Sequence, residues 1–173
     1  MPAKTPGKAK TLELSAPAKL NEQHDLNDFD CGESSINEYL VKKAHRAQTA
    51  KHAVVYVICL KGTQKVIGYY TLSNGSAMRA SVVPKSRQRN SPGQHPVTII
   101  GRIGISLVAQ GNGYAIDLLQ DAIERCISAS ETVGSTAVLV HPLNDRLADF
   151  YARHAGFIPC PGVSPITMML PLQ

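Results

Sequence analysis

The stretch from Val97 to Val133 constrains the fold more than any other part of the chain. An apolar run rich in β-branched residues, Val97 to Val108, leads through Gln110-Gly111-Asn112-Gly113-Tyr114-Ala115 straight into a long helical pattern. There Ala115, Leu118, Leu119, Ala122, Ile123, Cys126 and Ile127 recur at helical spacing and make one apolar face. A strand feeding directly into a helix calls for a layered α/β domain, with the strand central and the helix packed back on the sheet. Gly134 stands where such a helix stops. The 173 residues suit one domain.

The flanking segments fill in that picture. Leu12 and Leu14 alternate with polar neighbours, as in a short edge strand. Ser35 and Glu38 form a capping-box pattern ahead of Ile36, Leu40, Ala44 and Ala47, which predicts a helix over Ser34–Gln48. Ala53–Leu60 and Val66–Ser73 read as two strands of a hairpin. Residues 79–96 are rich in Arg, Ser, Pro and Gly, and read as a long basic loop. Ala137–His141 reads as a buried strand. A helix follows from Asn144 to His154, capped by Asn144 or Asp145. Phe157–Ile158 and Ile166–Leu170 offer closing strands. The expected fold is a mixed sheet with helices on both faces. Residues 1–10 read as a polar tail, not a secretory signal, with 11–173 as one domain.

The glycine turn is where chemistry is expected. The first turn of a helix leaves about four backbone N–H groups without partners. With the helix dipole they suit a phosphate or diphosphate. Gly111 and Gly113 let a ligand approach the backbone without a Cβ in the way. The same pair also fits a tight turn with no ligand. The full dinucleotide fingerprint is missing, because Ile116 stands where its third glycine falls. A Walker A site is excluded, since no GK[ST] occurs.

Charge is unevenly distributed. All 13 acidic residues lie between Glu13 and Glu38 or between Asp117 and Asp149. From Tyr39 to Ile116 there is none, while lysines and arginines recur throughout. Folded onto one side, they would attract a polyanion such as nucleic acid; scattered, they would only be a solvated surface. Lys42, Lys43, Arg46, Arg87, Arg89 and Arg102 are the first candidates for contacts with it. Cys31, Cys59, Cys126 and Cys160 are too scattered for a zinc site or a disulfide framework, so buried, reduced thiols in a cytoplasmic protein are expected. No metal is expected. No apolar run is long enough to span a membrane. The six histidines have no partner at motif spacing and read as structural or surface residues.

The second candidate segment is Asn144-Asp145-Arg146-Leu147-Ala148-Asp149-Phe150-Tyr151, then Gly156-Phe157. Asn144 follows a buried strand, and Tyr151 lies two helical turns later on the same face. A phenol there can donate a proton to a departing thiolate; it equally fits the rim of an amphipathic helix. Gln110, Gly113 and Ala115, as Q-x-x-G-x-A, resemble the acyl-CoA signature of GNAT acetyltransferases. Asn144, Ala148, Phe150 and Tyr151, followed by Gly156-Phe157, resemble that family's later motif, with Ala155 as one residue beyond the usual spacing. Phe29-Asp30-Cys31-Gly32, Ile36-Asn37-Glu38-Tyr39-Leu40, Val66-Ile67-Gly68-Tyr69-Tyr70 and Gly101-Arg102-Ile103 extend the likeness to the GNAT toxins of bacterial type II toxin–antitoxin modules.

The resemblance implies the GNAT fold and acetyl-CoA as co-substrate. It implies that backbone groups of Ile103, Ile105 and Leu107 pair with the pantetheine arm. Gln110, Gly111, Asn112, Gly113, Tyr114 and Ala115 would form the diphosphate turn, Asn144 would touch the cofactor, and Tyr151 would protonate the leaving thiolate. It also implies an aminoacyl-tRNA acceptor, inhibition of translation, a ribbon-helix-helix antitoxin and a homodimer. The rival readings are acetylation of a small amine or protein N-terminus, and a non-catalytic tRNA-binding protein of the same fold.

Overall fold

The structure, a computed structural model, describes residues 12–173. The tail assigned to 1–10 lies outside the described residues. The first elements are β1 (Ala18–Lys19), α1 (Ser34–Glu38), a π-helical turn (Tyr39–Lys43) and α2 (Ala44–Thr49). Next come β2 (Val54–Cys59), β3 (Val66–Met78), β4 (Gln94–Ile105) and α3 (Tyr114–Thr132). The chain closes with β5 (Ala137–Val140), α4 (Asp145–Ala155), β6 (Ile158–Pro159) and β7 (Met168–Pro171). They form one mixed seven-stranded sheet in the order β1-β2-β3-β4-β5-β7-β6. Among the described strands only β4 and β5 pair in parallel; the other strand pairs are antiparallel.

Strand alternation sends successive side chains to opposite faces. On one face Ile100, Val138 and Val140 pack with Leu118, Leu119, Ala122 and Cys126 of α3 and Tyr151 of α4. On the other, Val55, Val57 and Tyr69 pack with Ile36, Leu40 and Ala44. Further along that second face, Val97, Leu139 and Met169 are covered by Val82 from the loop after β3.

Several expectations needed correction. Leu14 makes only a single bridge to Leu60, and the first strand is Ala18–Lys19. The Ser35–Glu38 capping box does not form: Glu33 is the N-cap, without a side-chain cap bond, and Glu38 holds Lys42 at 2.9 Å instead. The hairpin extends β3 to Met78, so the basic loop is shorter, and Arg79–Ser81 and Lys85–Gln88 fold as 3-10 turns. β4 stops at Ile105, because Leu107–Ala109 turn into a 3-10 segment. Val133, not Gly134, caps α3. Ala155 completes the last turn of α4 before Gly156, whose φ of 74° ends the helix, so the extra residue lies inside the helix, after Tyr151. Cys59, Cys126 and Cys160 are buried; Cys31 is only half-buried. Burial pushes the Cys126 thiol up to about 12. No described helix is long and apolar enough to cross a membrane.

Candidate active site

The parallel pair opens partway along its length. β4 and β5 pair from Val97↔Ala137 to Ile100↔Val140, and there the ladder ends while β4 runs on to Ile105. Ser106 N–H bonds Ile67 O on the β3 side. Successive residues of an antiparallel ladder alternate, so Gly104 also faces β3, while Ile103 presents its N–H and carbonyl to the unpaired edge and Ile105 its N–H, the Ile105 carbonyl being taken by Gln110 Nε2. Leu107 is different. Its N–H is taken by Asp30 O at 2.8 Å, its carbonyl already receives Gln110 N–H at 3.3 Å, and it lies in the 3-10 turn beyond the strand, so it does not offer the strand-edge pairing with pantetheine expected of it.

A brace holds that end of β4. The Asp30 carboxylate accepts from Gly32 N and Asn37 Nδ2, both at 2.9 Å, and Asn37 Oδ1 accepts from Cys31 N at 2.9 Å. The Gly32 N–H and then the Asn37 amide hold the Asp30 carboxyl below its usual range. Gln110 Nε2 donates to both Cys31 O and Ile105 O at 2.9 Å. The Gln110 side chain therefore clamps the turn to the brace instead of reaching for a ligand, a correction to its expected role.

After the clamp the chain makes the glycine turn. Gly111 and Gly113 have φ values of 83° and 79°. A Cβ at either position would meet open space, so backbone conformation and free approach are what glycine supplies there. The Asn112 amide donates to Ala109 O and Gln110 O and closes the turn. Gly113 caps α3 without a side-chain bond, and the first bond inside the helix is Asp117 N–H to Gly113 O. The amides of Tyr114, Ala115 and Ile116 precede that bond, and are the unpartnered donors of this terminus. The Tyr114 hydroxyl is engaged elsewhere, on Leu12 O. The site thus offers an open strand edge ending on unpaired amides beside positive-φ glycines, which fits the pantetheine arm and diphosphate of a coenzyme A thioester.

Across the opening stands α4. Asn144 is its N-cap, and Oδ1 accepts from Leu147 N at 2.9 Å, which leaves only Nδ2 to donate to a ligand. Tyr151 shares a core cluster with Ile100 and Val140, the last paired residues before the opening. Its ring packs edge-on against Phe150 and Phe157, at centroid distances of 5.6 and 5.4 Å. It is 5% exposed, and burial raises its phenol above the ordinary range. No buried polar side-chain atom among the described residues lacks a partner, and the Tyr151 hydroxyl has no described partner, so it opens on accessible space.

On the opposite face of the sheet lies a cavity of about 450 Å³. It is lined by Tyr39, Lys43, Arg46, His52, Thr71, Ser73, Gly101 and Arg102, among others, and by no carboxylate. The Arg102 guanidinium stacks on the Tyr39 ring at 3.9 Å. The structure thus brings together Lys43, Arg46 and Arg102. Lys42 is paired to Glu38 outside this cavity. Arg87 and Arg89 lie by the start of β4, where Arg87 Nη1 reaches Thr136 O at 3.5 Å, and are not part of the cluster. A second cavity, about 420 Å³ between α3 and residues 14–17, is lined by Asp117, Asp121 and Glu124, the wrong sign for a polyanion. His52, Thr71 and Ser73 were not singled out from the sequence. The absence of acids near Arg102 was the available signal, but only the fold shows which neutral groups join it.

Known proteins resemble this chain in sequence and in fold. The model of the acetyltransferase (GNAT) family matches residues 20–157. A relative from Mycobacterium tuberculosis (strain ATCC 25618 / H37Rv), named tRNA-acetylating toxin, is 35% identical over 156 residues, covering 90% of this chain and 91% of its own. The solved structure of AtaT complexed with acetyl-methionyl-tRNAfMet superposes with a TM-score of 0.85 at 32% identity, covering 92% of this chain and 95% of that one. A tyrosine-to-phenylalanine mutant of AtaT, bound to the C-terminus of the antitoxin AtaR and acetyl-CoA, gives 0.77 at 28% identity, covering 91% and 92%. A family match spanning most of the sheet, with the open β4 edge and the glycine turn both inside it, leads to one conclusion: the chain belongs to the GNAT family of acetyltransferases.

Proposed function

We propose that this protein is a toxin that transfers the acetyl group of acetyl-CoA to the amino group of an aminoacyl-tRNA and thereby inhibits translation. The observation that carries this reading is the position of the carboxylate-free cavity. Gly101 and Arg102 follow directly on Ile100, the last residue of β4 paired with β5. A polyanion held by Lys43, Arg46 and Arg102 therefore has its end beside the place where a thioester seated along Ile103 and Ile105 must finish. The names of the mycobacterial relative and of the AtaT complex support the same acceptor.

Acetyl-CoA supplies an activated acyl group with a thiolate leaving group. The chain's residues do the rest. The amides of Tyr114, Ala115 and Ile116, with Gly111 and Gly113, hold the diphosphate; Ile103 and Ile105 hold the pantetheine arm; Asn144 Nδ2 donates to the cofactor. Tyr151 keeps its proton at neutral pH and gives it to the thiolate as the bond breaks. The amine of an aminoacyl ester is less basic than a lysine side chain, and more of it is neutral at pH 7. The cavity's lack of a carboxylate base fits that acceptor. The expected partners are aminoacyl-tRNA, a second copy of the chain and a ribbon-helix-helix antitoxin, in the cytoplasm. The AtaT–AtaR complex supports the antitoxin. In the decisive assay the protein meets labelled acetyl-CoA and bulk tRNA, charged or uncharged. Label on the charged pool alone is expected; label on neither pool removes the proposal.

A further inference from the structure

The register of β3 against β4 slips where the cavity meets the sheet. Tyr70 stands opposite Ile103 and Leu72 opposite Ile100, so Gly101 and Arg102 together oppose Thr71 alone. Such a two-against-one bulge disrupts the ladder and leaves a backbone group without its strand partner. Thr71 supplies the substitute: its Oγ1 accepts from Arg102 N–H at 3.1 Å. The fit is close, because a Cβ on Gly101 would lie 2.8 Å from Thr71 Oγ1. Thr71 is 3% exposed overall, yet lines the cavity with Gly101 and Arg102. Gly101 directly follows the last rung of the β4–β5 ladder.

We infer that Thr71 is a positioning residue, whose hydroxyl locks the β4 bulge and so fixes Gly101 and Arg102 against the incoming acceptor. The claim rests on the acetyl-transfer reading above for its consequence, but not for its structural part. In that reading acetyl-CoA lies along Ile103 and Ile105, beyond the bulge, so its affinity should not depend on Thr71. Alignment of the amine does, because Arg102 carries one of the cavity's charges and Gly101 stands at the apex of the opening. Valine keeps the branched shape of Thr71 and removes its acceptor; serine keeps the acceptor and removes a methyl.

The test compares Thr71→Val and Thr71→Ser with the wild type. Steady-state kinetics on charged tRNA, acetyl-CoA titration and hydrogen exchange at the Arg102 amide are measured for each. Misplacement by about 1 Å costs up to about a hundredfold in rate, so Thr71→Val is expected to lower kcat about ten- to a hundredfold, with acetyl-CoA affinity within about twofold. Its Arg102 amide should exchange faster. Thr71→Ser should recover most of the rate and the slow exchange. An unchanged kcat in Thr71→Val, a serine variant no better than valine, or a parallel loss of acetyl-CoA affinity would each overturn the inference. Should the valine variant fail to fold, Gly101→Ala carries the test: it should impair the wild type strongly and Thr71→Ala little, since the clash is with the hydroxyl. Equal impairment of both overturns it. A wild type that leaves charged tRNA unlabelled removes the proposed function instead, and the bulge is then judged on the Arg102 exchange alone.

Discussion

In the proposed reaction Tyr151 concentrates the chemistry in one hydroxyl. Its ring is fixed by Phe150 and Phe157, while its hydroxyl has no described hydrogen-bond partner. Tyr151→Phe keeps that packing and removes the proton, so kcat should fall about 10²–10⁴-fold, the range for a lost general acid. Acetyl-CoA affinity, read by calorimetry, should stay within about twofold, because the groups that hold the diphosphate and pantetheine are elsewhere. The pH profile follows from the same environment. Desolvation raises the phenol's pKa, so the folded state favours its protonated form. The stabilisation this brings is complete below the ordinary tyrosine pKa, about 10, and is lost only as pH rises from there through the folded value. The wild-type kcat/KM should therefore climb as the acceptor amine loses its proton and then stay level to about pH 10, since Tyr151 does not ionise earlier. A decline starting near pH 8 would assign the proton to a different group.

At the scale of elements, the glycine turn is where the sequence builds the proposed diphosphate site. Gly113 holds φ at 79°, and an alanine there meets no side-chain clash, so any cost is that of the left-handed backbone itself. That cost is about 1–2 kcal/mol, which lowers Tm by about 2–8 °C for a domain of this size. Gly113→Ala should show that shift in a thermal melt and weaken acetyl-CoA binding as the amides of the first turn tilt away. This turn was legible in the sequence because its signals are local: a β-branched run, two glycines, then helical periodicity. The Ser34–Gln48 helix was legible for the same reason, and the structure ends it one residue later. Its π-helical turn was not, since nothing in Tyr39-Leu40-Val41-Lys42-Lys43 marks an extra residue per turn. The Gln110 clamp and the Asp30 bond to Leu107 were hidden too, because they depend on where Asp30 and Cys31 arrive from some eighty residues away in sequence. The Thr71 bulge depends on register, and register comes from pairing, not from composition.

Across the whole molecule two groups of cations stand out within the acid-free span from Tyr39 to Ile116. Lys43, Arg46 and Arg102 line the cavity. Arg87 is anchored near Thr136, which bonds Pro96 O, six residues before Arg102 on β4. At about 3.3 Å per residue the two groups stand about 20 Å apart. In the proposed function a tRNA spanning that distance would meet both, and only the cavity would adjoin the reacting atoms. The two groups should therefore separate binding from catalysis. Arg87→Glu with Arg89→Glu should weaken tRNA binding and reduce the slope of log affinity against log salt by about 0.7–0.9 for each phosphate no longer neutralised, with kcat nearly unchanged at saturation. Lys43→Glu with Arg102→Glu should reduce the slope similarly but also lower kcat, because the acceptor end is no longer held beside Gly101. Lys61→Glu is the control: Lys61 lies outside both groups and pairs with Glu13, so its loss should change neither quantity beyond a small uniform charge effect. If all three variants shift affinity and kcat by the same factors, the protein attracts RNA through net charge alone and the cavity does not orient the acceptor.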